Sequence, residues 1–177
     1  MFKSLILFII YTLTMQSVTI FNFKEMKDLQ NWRVIDDAVM GGQSSGALSV
    51  DKEGYGVFKG TVSLANNGGF SLLRYRFNKR STKPFSKIIL KVKGDGKTYQ
   101  FRIKSKSSDA YSYVTYFTTT QKWQNIAINL AEMYPAFRGR KLDIPNYNKT
   151  AIEEIAFLIG NKKAEDFTLN IAAILFD

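Results

Sequence analysis

The chain has 177 residues and a formal net charge of +10, from 25 lysines and arginines against 15 aspartates and glutamates, and it contains neither histidine nor cysteine. These two absences exclude disulfides, thiol nucleophiles, zinc sites built from cysteine and histidine, and Ser-His-Asp triads. A site built from oxygen ligands or carboxylates, or a binding surface without catalytic chemistry, remains possible. With 45% hydrophobic residues, the chain is able to bury the core of one domain.

The N-terminus has the pattern of a secretory signal peptide. Lys3 precedes an apolar run from Leu5 to Tyr11, which is too short to span a bilayer as a helix but suits the apolar region of a signal. We therefore predict a signal peptide over residues 1–17, a secreted or periplasmic location and no stable membrane span after cleavage. The alternatives are an uncleaved membrane anchor and a buried first strand. The leader lacks the arginine-rich, amphipathic character of a mitochondrial targeting segment.

From residue 18 onward, apolar residues alternate with polar ones, and turn residues interrupt them about every ten residues. The predicted strands are, in chain order, 18–23, 32–34, 48–50, 55–64, 70–77, 88–92, 99–103, 111–118, 123–130, 152–159 and 167–176. Single helical turns are predicted at 25–30 and 130–134, and residues 135–150 form the longest irregular stretch. This pattern predicts one all-β domain over residues 18–177, a β-sandwich or jelly roll.

Residues 87–106 combine a turn motif with a concentration of positive charge. The tripeptide Gly94-Asp95-Gly96 between two alternating runs predicts a tight hairpin. The basic residues of this segment are Lys87, Lys91, Lys93, Lys97, Arg102, Lys104 and Lys106. They are expected to form a solvated outer face, and a steering patch for an anionic partner is the alternative. Nucleic acid is not expected as a partner, because the leader directs the chain out of the cytoplasm.

Residues 32–46 contain the most distinctive motif, two adjacent carboxylates before a Gly-Gly pair and a small polar run. Adjacent side chains in an extended segment point to opposite sides, so Asp36 and Asp37 form a poor acid–base pair. Capping of turns through backbone N–H groups is the favoured role, and binding of a ligand or cation is the alternative. The candidate binding residues of this segment are Asp36, Asp37, Met40, Gly41, Gly42 and Ser44.

A second motif, Asn-Asn-Gly-Gly, opens the strand predicted at residues 70–77. The glycines suit a turn with positive φ, while the asparagine amides are able to bind sugar hydroxyls or the backbone of a partner. On the strand itself Arg74 and Arg76 share the outward face with Leu72, where guanidinium groups suit carboxylate or phosphate. Tyr111, Tyr113 and Phe117 share one face of the strand at 111–118 and are expected in the core, whereas Tyr116 lies on the other face. The remaining candidate binding residues are Asn66, Asn67, Gly68, Gly69, Arg74, and, in the irregular stretch, Arg138 and Arg140.

Several blocks of the sequence, taken together and in order, resemble the complex I intermediate-associated protein 30 family. They are residues 32–46, 58–60, 66–74, 93–99, 123, 137–140, 155–163 and 167–171. The resemblance as a whole spans the chain from about residue 22 to the C-terminus. The resemblance implies a galactose-binding-like jelly roll, similar to carbohydrate-binding modules, in a bacterial-type secreted member. In mitochondria such domains act as non-catalytic assembly factors for respiratory complex I. The family has no established catalytic residues to carry over.

The sequence therefore predicts a non-catalytic binding module with no cofactor, no metal and no enzyme activity. The leading hypothesis is a protein-binding module that resembles a complex I assembly factor. The alternative is a carbohydrate-binding module of the cell envelope, with its ligand on a concave sheet or at loop tips near Asn66, Asn67 and Arg138. A third hypothesis is an enzyme that uses two facing carboxylates, drawn from Asp36, Asp37, Asp95 or Asp143.

Overall fold

Two antiparallel β-sheets pack face to face in the computed structural model, which describes residues 16–177. The strands are β1 (Val18–Asn22), β2 (Trp32–Asp36), β3 (Ser45–Val50), β4 (Gly56–Val62), β5 (Ser71–Ser81), β6 (Lys87–Lys93), β7 (Thr98–Lys104), β8 (Ser112–Thr118), β9 (Gln124–Asn129), β10 (Tyr134–Phe137), β11 (Arg140–Lys141), β12 (Ala151–Ile159) and β13 (Glu165–Phe176). Short 3₁₀ turns span Asp37–Met40, Ala65–Asn67 and Leu130–Glu132. The predicted all-β sandwich is confirmed.

The predicted signal peptide falls largely on residues 1–15, which lie outside the described residues. In the part of the chain that the structure does describe, no helix combines the length and apolar character needed to cross a bilayer.

The six-stranded sheet has the order β3-β4-β13-β6-β9, with β1 also paired to β13, and the seven-stranded sheet has the order β11-β10-β8-β7-β12-β5-β2. The core lies between them and is filled by alternate residues of every long strand, such as Ile155, Phe157 and Ile159 of β12. Each such side chain contributes about 2 kcal/mol through burial. Because strand residues alternate between faces, the intervening residues of β12, Ala156 among them, face outward.

The hairpin predicted around Gly94-Asp95-Gly96 is wrong, because the turn joins the two sheets instead of pairing its flanking strands. β6 pairs with β13 and β9, whereas β7 pairs with β12 and β8. The Asp95 carboxylate holds this crossover: it accepts hydrogen bonds from the backbone N–H of Thr168 at 2.9 Å and from that of Lys97 at 3.2 Å. The basic residues of 87–106 therefore divide between opposite outer faces of the sandwich and do not form one face.

Three smaller predictions have different outcomes. The helical turn expected at 25–30 is absent, and residues 26–29 have no regular structure after a turn at Phe23. The turn expected at 130–134 forms as the 3₁₀ turn Leu130–Glu132. The irregular stretch 135–150 begins inside β10 and contains a tight hairpin to β11, so part of it is ordered by the seven-stranded sheet.

Candidate functional site

Asp37 links the two distinctive motifs of the sequence. Its buried carboxylate accepts hydrogen bonds from the backbone N–H of Ser44 at 2.9 Å and from the Ser44 hydroxyl at 2.5 Å. It also accepts from the backbone N–H of Gly69 at 2.5 Å and from that of Phe70 at 3.2 Å. Burial alone would raise the pKa of the Asp37 carboxyl, but these hydrogen bonds favour the charged form and hold the pKa below its usual value. The geometry is that of an internal cap that joins two loops.

Asp36 makes a second link between the same motifs. Its carboxylate accepts hydrogen bonds from the backbone N–H of Gly46 at 3.0 Å and from Ser71 Oγ at 2.5 Å. Gly42 and Gly68 lie so close to the Asp37 carboxylate that a Cβ atom on either residue would overlap it. The pairing of aspartates with glycines in these motifs is therefore explained by the packing of two carboxylates against backbone.

The exposed residues of the two motifs lie beside this network. Asn66 and Asn67 occupy the left-handed region, with φ of 54° and 58°, and the Asn66 side-chain amide donates to the Gly41 carbonyl at 3.0 Å. Gly41 ends the 3₁₀ turn that includes Met40. The structure thus brings residues 36–46 and 66–71 together, but it directs both carboxylates inward, to protein donors.

The outer face of the seven-stranded sheet carries a second group of candidate residues, arranged in rows across the strands. One row contains Tyr134, Val114, Arg102, Ala156, Arg74 and Arg33. The adjacent row contains Tyr116, Gln100, Leu158, Leu72 and Ile35. Five spacings between neighbouring strands, each about 4.8 Å, make the first row about 24 Å long. This face is long enough for an extended ligand that crosses the strands.

A recess of about 450 Å³ opens on this face. The strands contribute Leu72, Gln100, Arg102 and Leu158 to its lining, and the loops contribute Gly69, Phe70, Arg138, Gly139 and Gly160. Apolar side chains and a few convergent polar groups are the usual lining of a ligand site. One end of the recess is formed by the Gly69–Phe70 segment, whose backbone Asp37 holds in place.

Two polar groups of the recess, Arg102 and Gln100, are hydrogen-bonded to each other, and Gln100 is also bonded to Tyr116. Arg102 donates to Gln100 Oε1 at 3.0 Å, and Gln100 Nε2 donates to the hydroxyl of Tyr116 at 3.1 Å. Partial burial lowers the pKa of the Arg102 guanidinium. Burial raises the pKa of Tyr134, which lies in the same row as Arg102, because it disfavours the charged form of either side chain. Within residues 16–177, the side chain of Arg102 donates one hydrogen bond to protein. Because a guanidinium has five N–H donors, most of them are able to bind solvent or a ligand.

A buried carboxylate holds the two arginines of β5. Glu154, on the neighbouring strand β12, accepts a hydrogen bond from Arg76 Nε at 2.7 Å, and Arg74 Nε lies 3.9 Å from the same oxygen. Arg74 is partly buried, and this desolvation lowers its pKa while Glu154 opposes the shift. The carboxylate therefore positions two guanidinium groups at the surface beside the recess.

Arg138 reaches the recess from the β10–β11 turn. Arg138 and Gly139 have φ of 48° and 76°, as the two central residues of a type I′ hairpin turn require. Asparagine or glycine usually occupies the first of these positions, and a bulky side chain there is strained. Arg140 follows as an exposed residue at the start of β11. The first position of this turn carries a guanidinium where the backbone favours a smaller residue.

Several residues of this face were not among the candidates from the sequence, chiefly Leu72, Gln100, Tyr116 and Leu158. The alternation of polar and apolar residues shows that each one faces outward from its strand. Their proximity depends on β12 lying between β5 and β7, and this strand order is not visible in the sequence. Of the sequence candidates, Arg74, Arg138 and Gly69 lie at or beside the recess.

A family model described as complex I intermediate-associated protein 30 (CIA30) matches residues 21–171. The chain belongs to the CIA30 family. The resemblance noted in the sequence is thereby confirmed. The mitochondrial complex I intermediate-associated protein 30 of Mus musculus is 24% identical over 179 residues, which cover 88% of this chain and 55% of that protein. This chain therefore spans about half the length of its mouse relative.

Solved structures similar to this CIA30-family chain include carbohydrate-binding modules. The family 11 module of a Clostridium thermocellum cellulosomal cellulase superposes with a TM-score of 0.66 at 18% identity, covering 92% of this chain and 95% of that one. The structure of a family 11 module from the same organism in complex with a β-1,3-1,4-mixed-linked tetrasaccharide gives a TM-score of 0.63 at 18% identity, covering 90% and 95%. The jelly-roll fold predicted from the sequence is confirmed.

Proposed function

We propose that this chain is a non-catalytic binding module that holds a glycan on the outer face of its seven-stranded sheet. The observation that carries the proposal is the recess lined by Leu72, Gln100, Arg102 and Leu158, with Tyr116 in the same row. Apolar patches, a tyrosine ring and amide or guanidinium donors are the groups that bind sugar rings and hydroxyls. The module of the same fold whose structure contains a bound tetrasaccharide supports the proposal.

A glycan fits this face better than a protein partner does. Stable protein interfaces bury about 800 Å² on each side and have an apolar, aromatic-rich centre. Among the described residues, the large hydrophobic side chains that are exposed are Val18, Val50, Leu64, Tyr116, Phe137 and Ile144, and of these only Tyr116 projects from the outer face of the seven-stranded sheet. The face therefore presents one well-exposed ring beside a recess lined by both apolar and polar side chains.

The second candidate function is a protein-binding, assembly-factor-like role, and family membership favours it. The mouse relative bears the name of complex I intermediate-associated protein 30. If this role applies, pull-down from an envelope extract would recover a protein in a manner that depends on the outer face. The secreted or periplasmic location and the domain bounds 18–177 are part of our proposal and rest on the leader.

The test of the proposed function is affinity electrophoresis of the full chain in gels that contain soluble plant and algal polysaccharides. Retardation by at least one polysaccharide, lost on competition with its free oligosaccharides, is expected. If no polysaccharide retards the chain and the pull-down instead recovers one protein, the glycan proposal is overturned in favour of the protein partner.

Replacement of Tyr116 by alanine is expected to weaken glycan binding about tenfold, because an aromatic ring contributes about 1 kcal/mol or slightly more beyond the area that it buries. Tyr116 is 54% exposed, so the melting temperature should change little. The measurement is isothermal titration with the retarding oligosaccharide. Val50→Ala is the matched control, since Val50 is 43% exposed in β3 of the other sheet. Equal losses in both variants would argue against the assigned face.

A further inference from the structure

The arginines of this chain are confined to one of its two sheets. The chain contains seven arginines: Arg33, Arg74, Arg76, Arg80, Arg102, Arg138 and Arg140. Six of them lie in strands of the seven-stranded sheet, and Arg138 lies in the turn that joins two strands of that sheet. The strands of the six-stranded sheet contain Lys59, Lys87, Lys91 and Lys93 but no arginine. In the described strands, guanidinium groups therefore occur in the seven-stranded sheet, together with Lys79, Lys104 and Lys141, whereas the positive groups of the six-stranded sheet are all ammonium groups.

Arginine and lysine side chains differ in how they bind anions. A guanidinium is planar, is weakly hydrated and matches carboxylate or sulfate oxygens with two parallel N–H donors, whereas an ammonium is a strongly hydrated point charge. Lysines on the outer face of a sheet mainly keep the protein soluble. The face that carries the recess therefore has the groups suited to anion recognition, and the opposite face has the groups suited to solvation.

The charges around the recess are unbalanced. Among the described residues of the paired rows that face outward from β2, β5, β12, β7 and β8, the basic side chains are Arg33, Arg74, Arg76, Arg102 and Lys104, and the acidic side chain is Glu154, whereas Asp36 and Arg80 turn away from this face. Glu154 is already engaged by Arg76 at 2.7 Å. A half-buried, positively charged surface of this kind attracts anions strongly, because field lines concentrate in a recess with low-dielectric walls.

We propose that the glycan held in the recess is acidic, with carboxylate or sulfate groups bound by Arg74, Arg102 and Arg138. This inference rests on the proposed function and specifies its ligand class. Arg102 and Arg74 lie two strands apart, about 10 Å, with the small residue Ala156 between them. An extended chain that crosses the sheet along this row would place successive anionic groups near the two guanidinium groups, while its ring faces contact Leu72 and Leu158.

The position of Arg138 supports the same ligand class. Its backbone conformation is one in which asparagine would be more stable, yet a guanidinium stands there and lines the recess. The guanidinium carbon lies 5.3 Å from the centre of the Phe137 ring, and this contact helps to orient the side chain. An Arg138→Asn substitution would remove the charge and keep or improve the turn.

The experiment is isothermal titration of the full chain with four oligosaccharides of similar length. Two are acidic, a galacturonate hexasaccharide with carboxylates and a carrageenan hexasaccharide with sulfates, and two are neutral, a β-1,3-1,4-glucan and an agarose fragment. We expect at least one acidic oligosaccharide to bind about tenfold or more tightly than both neutral ones, with affinity that falls as salt is added. The two acidic ligands distinguish carboxylate from sulfate.

The variants Arg74→Gln, Arg102→Gln and Arg138→Asn are each expected to lower the affinity for the acidic ligand about tenfold. The matched controls Lys87→Gln and Lys91→Gln remove the same charge from the opposite face and are expected to change the affinity less than twofold. Equal losses in the lysine variants, or tighter binding of a neutral oligosaccharide, would overturn the inference and leave the proposed function standing. Failure of all four oligosaccharides to bind would count against the proposed function itself.

Discussion

Replacement of Asp37 by asparagine is expected to lower the free energy of unfolding by about 4 kcal/mol and the melting temperature by about 10 °C. The buried carboxylate accepts from the backbone of Ser44, Gly69 and Phe70 and from the Ser44 hydroxyl. Asparagine keeps one acceptor oxygen but turns an NH₂ group toward donors, so at least one buried N–H loses its partner. Urea denaturation of both proteins measures the difference.

The control is Asp143→Asn, because Asp143 is an exposed residue and its substitution should change the free energy of unfolding by less than about 0.5 kcal/mol.

The destabilisation caused by Asp37→Asn should also depend on pH. The pKa of Asp37 is lower when folded than when unfolded, so its contribution is complete above about pH 4 and is lost as pH falls through the folded pKa. The difference between wild type and Asp37→Asn should therefore shrink in acid. A difference that stayed constant would show that the charge of Asp37 is not what stabilises the loops.

Replacement of Leu158 by tryptophan is expected to weaken glycan binding about a hundredfold, equivalent to about 2.7 kcal/mol. Leu158 points outward from β12 and lies between Leu72 and Gln100, so an indole there fills the recess. No charge is removed, and Leu158, although only 9% exposed, packs on the outer face of β12 and not among the residues between the sheets, so the fold should be retained. Titration with the glycan that retards the wild type gives the affinity, and a thermal melt confirms folding.

The control for this occlusion is Ile89→Trp, which places the same side chain on the outer face of β6 in the other sheet. Its affinity should equal that of the wild type. If Leu158→Trp bound the glycan as tightly as the wild type while folding normally, the recess would not be the binding site. If Ile89→Trp were the variant that lost binding, the ligand would lie on the six-stranded sheet.

The sequence predicted the layers of this protein better than it predicted their connections. Alternating residues such as Ile155 and Phe157 identify a core-facing side wherever they occur, and period two is a local signal. The crossover at Asp95 could not be found in this way, because Gly94 and Gly96 suit either a hairpin or a sharp turn between sheets. The two outcomes are separated by strand pairing far away in the chain: β6 pairs with β13 and β7 with β12, and Asp95 accepts a hydrogen bond from Thr168 of β13.

The sequence likewise predicts one part of the candidate site and not the other. The Asp37 motif is compact in sequence and could be associated with loop capping from its residue types alone. The recess combines Leu72, Gln100 and Leu158, which come from three separate strands whose order is set by the long-range pairing of β12. Tyr116 could be placed on the polar side of its strand, but not next to Gln100.

A ¹H–¹⁵N NMR titration of the full chain with the oligosaccharide that binds it would locate the glycan on the protein. We expect the amide signals of Leu72, Arg102 and Leu158 to shift together as ligand is added, while those of β6 on the opposite face stay unchanged. Shifts that concentrate on β6, or on the exposed loop around Gly41 and Asn66 with none in the recess, would contradict this expectation.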